Sequence, residues 1–338
     1  MPVTIKDVAR ISGVSISTVS RVINDSKPVS SGIREKVFKV IEDTGYVPNP
    51  VARSLVMRKS NMIGVIVKDI GISYMAQIIR GIEEIGRMYN YDILLSSTYG
   101  DIEVEHKIIE FMCTKQVEGI IMISEKINPE ILFKLKSKNI PFVRLDKFYE
   151  YTDEHTVSID YKSTCNKMTN YLVDEGHESI IFISEDITSR IGREKLAGFN
   201  EAVAERKVKS ALINAKDITV QAGYDMGEEI FKLIKDNKST VVFASEDSLA
   251  IGFISYCYDN GLKVPQDISV AGFGDDIIAS IYRPALTTIE EPYYDMGAIS
   301  MRKLIKELRN EEKLKDVTIL PSRIVERGSV ATFKKKNK

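Results

Sequence analysis

Arg21 sits among short polar side chains. Residues 15–24 read SISTVSRVIN; at helical spacing Ile16, Ser17, Ser20 and Arg21 fall on one side, and Val19, Val22 and Ile23 on the other. Short side chains let a helix approach another surface closely, and a guanidinium can bond both O6 and N7 of a guanine at the major-groove edge. The chemistry implied is the reading of DNA bases. An ordinary helical hairpin in a larger core shares the apolar spacing, so the choice rests on what surrounds this helix.

Ile5, Val8 and Ala9 give the inner face of a preceding helix, and Ser12-Gly13-Val14 interrupts it. Ser15 suits the N-cap of the second helix. Two short helices around a glycine turn form a helix-turn-helix pattern, whose second helix enters a major groove. A third helix follows, capped by Ser30 or Ser31, with Val37, Val40 and Ile41 inward and Gly45 at its end. Tyr46 and Asn49 can donate hydrogen bonds to phosphates, which position a protein on DNA without reading it. Pro48-Asn49-Pro50 then breaks the chain. Pro50 fits the first turn of a short helix, although a flexible linker would also suit this composition.

Charge is distributed to match. The chain has 338 residues and a net charge of −1, but residues 1–60 carry +5 and the remainder −6. A basic head on an acidic body directs polyanions to the head. The start, MPVTIKDVAR, has no apolar signal core, and apolar runs are far too short to span a bilayer, so a cytoplasmic protein is expected. Cys113, Cys165 and Cys257 are isolated, as are His106, His155 and His177, so neither a metal nor another cofactor is expected. The carboxylate pair Asp275–Asp276 closes the glycine-rich GFGDD, which lacks the spacing of a nucleotide loop; a helix N-terminus explains it better than acid catalysis. No enzyme is expected.

From Met62 onward strand-like runs alternate with helical ones. MIGVIV, YDILLSS, GIIMIS, PFVRLD, TVSID, SIIFIS, STVVFAS and DISVAGF are the strand candidates. Helices are expected at 78–90, 103–114, 129–138, 161–175, 192–206, 223–236 and 247–260. This alternation implies parallel sheets with helices on both faces, in two lobes. Ligands of such sheets sit at the carboxyl ends of strands, where Asp69, Ser96, Asp146, Asp160, Ser245-Glu246-Asp247 and Gly274 fall. Ordinary turn chemistry also places polar residues there.

The motifs TIKDVAR, SGVS, STVSRVIN, IREKV, IEDTGY and PNPVARSL, in register over about sixty residues, resemble the DNA-binding head of the LacI/GalR family of bacterial transcription regulators. The resemblance implies a helix-turn-helix head (1–47), a hinge helix (48–60) and a two-lobe core of the periplasmic-binding-protein type (61–338). The first lobe would hold about 61–160 and 288–320, and the second about 161–287 and 321–332. It implies a homodimer on a pseudo-palindromic operator, with DNA contacts from Thr4, Ile16, Ser17, Thr18, Ser20, Arg21, Asn24, Tyr46, Asn49, Ala52, Arg53 and Leu55. Leu55 would wedge into the minor groove between the central base pairs.

Sugar- and purine-responsive members often hold an effector with an arginine before the LAGF segment and an aspartate after the strand that reads GF. Lys195 and Gly274 stand at those positions, so Arg193 or Asp275 would have to substitute. Ser96, Asp146 and Asp247 complete the effector positions, for a sugar or sugar phosphate. The runs MYNYDILLS, KQVEGI, SIDY and YDMGA, with Met301-Arg302, resemble the family's catabolite-control regulators, which are activated by serine-phosphorylated HPr. That resemblance implies contacts to HPr from Asp69, Tyr294, Asp295, Arg302, Lys303 and Arg323. Ile16-Ser17 and Lys27-Pro28-Val29-Ser30-Ser31 depart from the subgroup's pattern, so operator preference is expected to differ.

Overall fold

Three short helices open the chain. The structure is a computed structural model and describes residues 3–25, 27–47, 60–72, 74–123, 129–145, 156–184, 187, 189–311 and 317–333. Two compact units result, Met1–Asn61 and Met62–Lys338.

In the first unit, α1 (Ile5–Ser12) begins at a capping box, in which Thr4 and Asp7 each satisfy the other's backbone N–H. Gly13 at φ 65 ends it in the left-handed region, and Ser15 caps α2 (Ile16–Asn24) by accepting from the Thr18 N–H at 3.1 Å. The third helix, α3 (Ser31–Thr44), starts after Ser30, which occupies the cap position but makes no side-chain capping bond; the serine cap expected there is conformational only. Val8, Ala9, Val19, Val22, Val37 and Val40 form the core that locks the three helices together. The expected hinge helix at 48–60 lies outside the described residues, apart from Ser60.

In the second unit the strands are β1 (Met62–Val67), β2 (Asp92–Ser97), β3 (Gly119–Ile123), β4 (Phe142–Leu145), β5 (Thr156–Ile159), β6 (Ser179–Ser184), β7 (Lys209–Asn214), β8 (Val241–Ala244), β9 (Ser269–Ala271), β10 (Thr288–Glu290), β11 (Thr318–Leu320) and β12 (Arg323–Val325). The helices are α4 (Met75–Met88), α5 (Ile102–Thr114), α6 (Pro129–Ser137), α7 (Tyr161–Asp174), α8 (Arg190–Arg206), α9 (Val220–Asp225), α10 (Gly227–Asn237), α11 (Asp247–Asp259), α12 (Ile277–Ile281) and α13 (Tyr293–Leu308). They build two parallel sheets, ordered β11-β5-β4-β3-β1-β2 and β7-β6-β8-β9. Each order reverses beside the first strand of its sheet, β1 or β6, which opens a crevice at the carboxyl edge. A small antiparallel pair, β10-β12, is formed where the chain passes between the sheets. Strands β3, β4, β6 and β8 are buried along their whole length, as strands covered by helices on both faces must be.

Several boundaries differ from the sequence expectation. The helix expected at 78–90 is α4, which begins at Met75. The helix expected at 223–236 is two helices, α9 and α10, that meet at Met226. Strand β7 was not expected. It is an edge strand with mostly exposed side chains, so it lacks the apolar run that marks a central strand.

Candidate nucleic-acid interface and the cleft between the lobes

Helix α2 carries the candidate reading surface. Val19 and Val22 are buried, whereas Arg21 and Ser17 are exposed and Ile16 keeps 45% of its surface. The Arg21 guanidinium has no ion pair with any described residue, so its donors point to solvent. The neighbouring hydroxyls are already ordered. Ser15 Oγ lies 2.8 Å from both Ser17 Oγ and Thr18 Oγ1, and Asn24 Nδ2 donates to the Ser20 carbonyl at 2.9 Å. Such bonds hold short side chains in fixed rotamers before any partner arrives. Thr4 serves the α1 cap, with its hydroxyl 2.7 Å from Asp7, and Tyr46 packs half-buried against the head core. Asn49, Ala52, Arg53 and Leu55 lie outside the described residues.

A second surface lies along α13. Tyr294, Asp295 and Arg302 are exposed and Lys303 is half-buried. The Tyr294 hydroxyl donates to Glu84 of α4 at 2.7 Å, which raises the phenol above its ordinary range, and Arg80 with Tyr294 lowers the Glu84 carboxyl. Lys303 Nζ donates to Thr318 at 2.5 Å. Asp295 and Arg302 are seven residues apart on one face of the helix. Lys306, four residues beyond Arg302, extends that exposed stripe; the i,i+4 spacing was the signal, and sequence reasoning passed over it. Two other residues assigned to this surface belong to other elements. Arg323 is paired with Glu290 across β10-β12, and Asp69 accepts the Gly71 N–H at 2.8 Å in the turn after β1.

Between the lobes lies a cavity of about 510 Å³. Ile72, Tyr74 and Tyr293 face it from the side of the larger sheet; Val220, Glu246 and Phe273 face it from the side of the smaller. Tyr74 and Tyr293 stack with ring centroids 4.9 Å apart. Lys195, from α8, is fully buried behind this wall. Its ammonium donates to the Ser245 carbonyl at 2.8 Å and to Glu246 at 3.0 Å, and lies 4.2 Å from the Phe273 ring centroid.

Asp247 begins α11 at the cavity floor. One carboxylate oxygen accepts from Thr288 at 2.5 Å and the other from the Asp276 N–H at 2.8 Å. Burial pushes its carboxyl up to about 7; the two hydrogen bonds oppose that shift, and Glu246 and Asp275 add to it. Gly272 runs directly over this carboxylate, since a Cβ there would meet Asp247 Oδ1 at 2.3 Å. Tyr293 is raised well above its ordinary value by burial and by the nearby Glu291 and Glu246 carboxylates.

Of the six effector candidates, Asp247 lines the cavity and Lys195 backs it. Asp275 does not line it, because its carboxylate is turned to Arg327 at 2.6 Å; Asp276 instead caps α12 and faces the cavity. Arg193 is exposed on α8 and Ser96 is half-buried on the edge strand β2; neither is among the described lining residues. Asp146 lies outside the described residues. Tyr74 and Tyr293 carried no local motif, and Phe273 was read only as part of GFGDD, since only the tertiary fold brings the three together.

Among the described residues no helix is long and apolar enough to cross a membrane, and no group of His, Cys, Asp and Glu could hold a metal ion. Residues 4–49 match the family described as bacterial regulatory proteins, lacI family, and residues 169–330 match the periplasmic binding protein-like domain. The chain is 36% identical over 332 residues to the catabolite control protein A of Priestia megaterium, covering 97% of this chain and 99% of that one. A lac repressor dimer bound to operator and the anti-inducer ONPF superposes with a TM-score of 0.86 at 25% identity, over 98% of this chain and 100% of that one. A LacI family regulator of Enterococcus faecium with bound ribose matches with a TM-score of 0.71 at 26% identity, over 81% of this chain and 100% of that one. With a three-helix head that presents Arg21, a two-lobe parallel core and near full-length similarity of this kind, the chain belongs to the LacI family of DNA-binding transcription regulators.

Proposed function

We propose that this regulator controls carbon catabolite genes in the bacterial cytoplasm. As a homodimer it binds a short pseudo-palindromic operator, and serine-phosphorylated HPr modulates that binding. The observation that carries the reading is Arg21, exposed on a helix whose other polar groups are held in place. Two-fold protein symmetry is mirrored in the half-sites of the DNA. Ile16, Ser17, Thr18, Ser20 and Asn24 accompany Arg21 at the groove. Thr4, Tyr46 and Asn49 serve the phosphates, and Ala52, Arg53 and Leu55 the minor groove. Arg21→Ala is expected to lose about 1–3 kcal/mol of operator affinity and to relax one position in each half-site. Gel shifts against operator variants measure this, and unchanged discrimination would remove Arg21 from the readers.

The face of α13 is the proposed HPr surface, with Tyr294, Asp295, Arg302 and Lys303 on the helix, and Asp69 and Arg323 assigned beside it by resemblance. It is supported by the similarity to catabolite control protein A and by the paired acid and base, which suit a mixed-charge partner bearing a phosphate. Arg302→Ala is expected to weaken binding of phosphorylated HPr roughly tenfold to a hundredfold, the loss of one charge-assisted contact. Calorimetry with phosphorylated and unphosphorylated HPr decides; a wild type that binds neither form overturns the partner. The second reading is a repressor of one sugar operon, released by a small effector. The cavity between the lobes supports it, as does the relative with bound ribose.

A further inference from the structure

We propose that the cavity between the lobes is closed to phosphorylated and other anionic ligands, and that Glu246 closes it. If the cavity is an effector site, its ligands are then uncharged ring compounds bearing hydroxyls. The inference rests on that second reading of the cavity, but its test separates the two.

The argument is one of charge. Three acidic side chains, Glu246, Asp247 and Asp276, line the cavity, and no lysine or arginine is among its described lining residues. The cation behind the wall, Lys195, is fully buried and is paired with the Glu246 carboxylate at 3.0 Å. The Ser245 carbonyl at 2.8 Å and the faces of Phe273 and Tyr161, at 4.2 and 5.8 Å to the centroids, also surround it. Glu246 therefore occupies, as an internal counter-ion, the place beside the ammonium that an entering anion would need. An anion that displaced it would leave a carboxylate unpaired and would face the Asp276 carboxylate besides. Hydroxyl donors meet the opposite situation, because carboxylate oxygens accept from them, and the Tyr74, Tyr293 and Phe273 rings supply apolar walls.

The test uses the full chain in calorimetry and thermal-shift assays at constant ionic strength, with inorganic phosphate, ribose 5-phosphate, ribose and glucose as probes. The wild type is expected to show no saturable response to phosphate or ribose 5-phosphate. Glu246→Gln, which keeps an oxygen for Lys195 but removes the charge, is expected to bind phosphate at least tenfold more tightly than the wild type. The double variant Lys195→Met/Glu246→Gln is expected to lose that gain. Glu246→Ala is the second single variant; folding that depends on added phosphate counts as the same gain. A wild type that binds ribose 5-phosphate as well as ribose overturns the proposal. So do Gln and Ala variants that ignore phosphate, or that fold neither with it nor without it, since the anion then does not replace the carboxylate. Silence of the wild type toward ribose and glucose counts against the effector reading, while the phosphate arm of the variants still decides the role of Glu246.

Discussion

Asp247→Asn is expected to remove a loss of stability that the wild type suffers between about pH 4 and pH 7. The Asp247 carboxyl is 2% exposed, and burial lifts it from 3.8 to about 7. The folded protein therefore holds a proton that the unfolded chain has already released. The stability this contributes is fully present below about pH 4 and is lost as pH rises through 7. The difference amounts to about 4 kcal/mol across the window, taking each pH unit as the free energy of one tenfold change. Asparagine resembles the protonated acid, because its amide can donate to Thr288 and its carbonyl can accept from the Asp276 N–H. The two proteins should have nearly equal urea midpoints at pH 4.5, and the variant should be the more stable at pH 8, read by tyrosine circular dichroism. Glu105, raised to about 7 by burial, acts in the same direction in both proteins. His177, lowered to about 4 by burial, acts in the opposite one, so the difference between variant and wild type isolates Asp247. A gap that does not change with pH would mean that Asp247 is ionised in the fold at neutral pH.

Position 247 also marks how far the sequence could be read. Its place at the end of a strand identified it as a candidate, since an open parallel sheet offers its carboxyl edge to ligands. Most of the head was legible: Gly13, Ser15 and Gly45 are local signals, and each governs one helix terminus, whereas Thr4, read only as a DNA contact, also caps α1 through its box with Asp7, and the serine cap of α3 makes no side-chain bond. Strand β7 was not legible, because an edge strand needs no apolar run, and neither were the three-residue strands β10, β11 and β12, too short to show a period. The cavity failed to be read for another reason. Tyr74 and Tyr293 stack across most of the core's length in sequence, and Asp275 and Asp276 are interchangeable on paper. Only the left-handed backbone at Asp275, φ 56, turns that side chain to Arg327 and leaves its neighbour facing the cavity. Lys195 was identified as the position of a ligand clamp, but its commitment to Glu246 depends on the packing of α8 against the end of β8.

Gly297→Val is expected to destabilise the second unit by about 3 kcal/mol or more and to disturb the α13 surface with it. Helices α4 and α13 meet backbone to backbone. A Cβ at Gly297 would lie 2.1 Å from the Ile78 carbonyl oxygen, and one at Gly81 would lie 2.2 Å from the Tyr294 carbonyl oxygen. Neither obstacle is the flexible end of a side chain, so the helices themselves must separate. Overpacking of that kind costs about 1–3 kcal/mol for small groups, and a branched side chain against main chain exceeds it. Helix propensity alone points the other way, because alanine is favoured over glycine by about 1 kcal/mol within a helix. Gly297→Ala therefore separates the two effects: a net loss means that the close approach dominates, and a gain in thermal midpoint would mean that the helices can part at little cost. The functional consequence follows from position. Separating the helices weakens the Tyr294–Glu84 bond of 2.7 Å and shifts Asp295 and Arg302, which lie on the exposed side of α13. Both variants should then bind phosphorylated HPr more weakly in proportion to their loss of stability, while a head unit with its own core, Val8 to Val40, keeps its helical signal. Loss of the head's structure in Gly297→Val would show instead that the two units unfold together.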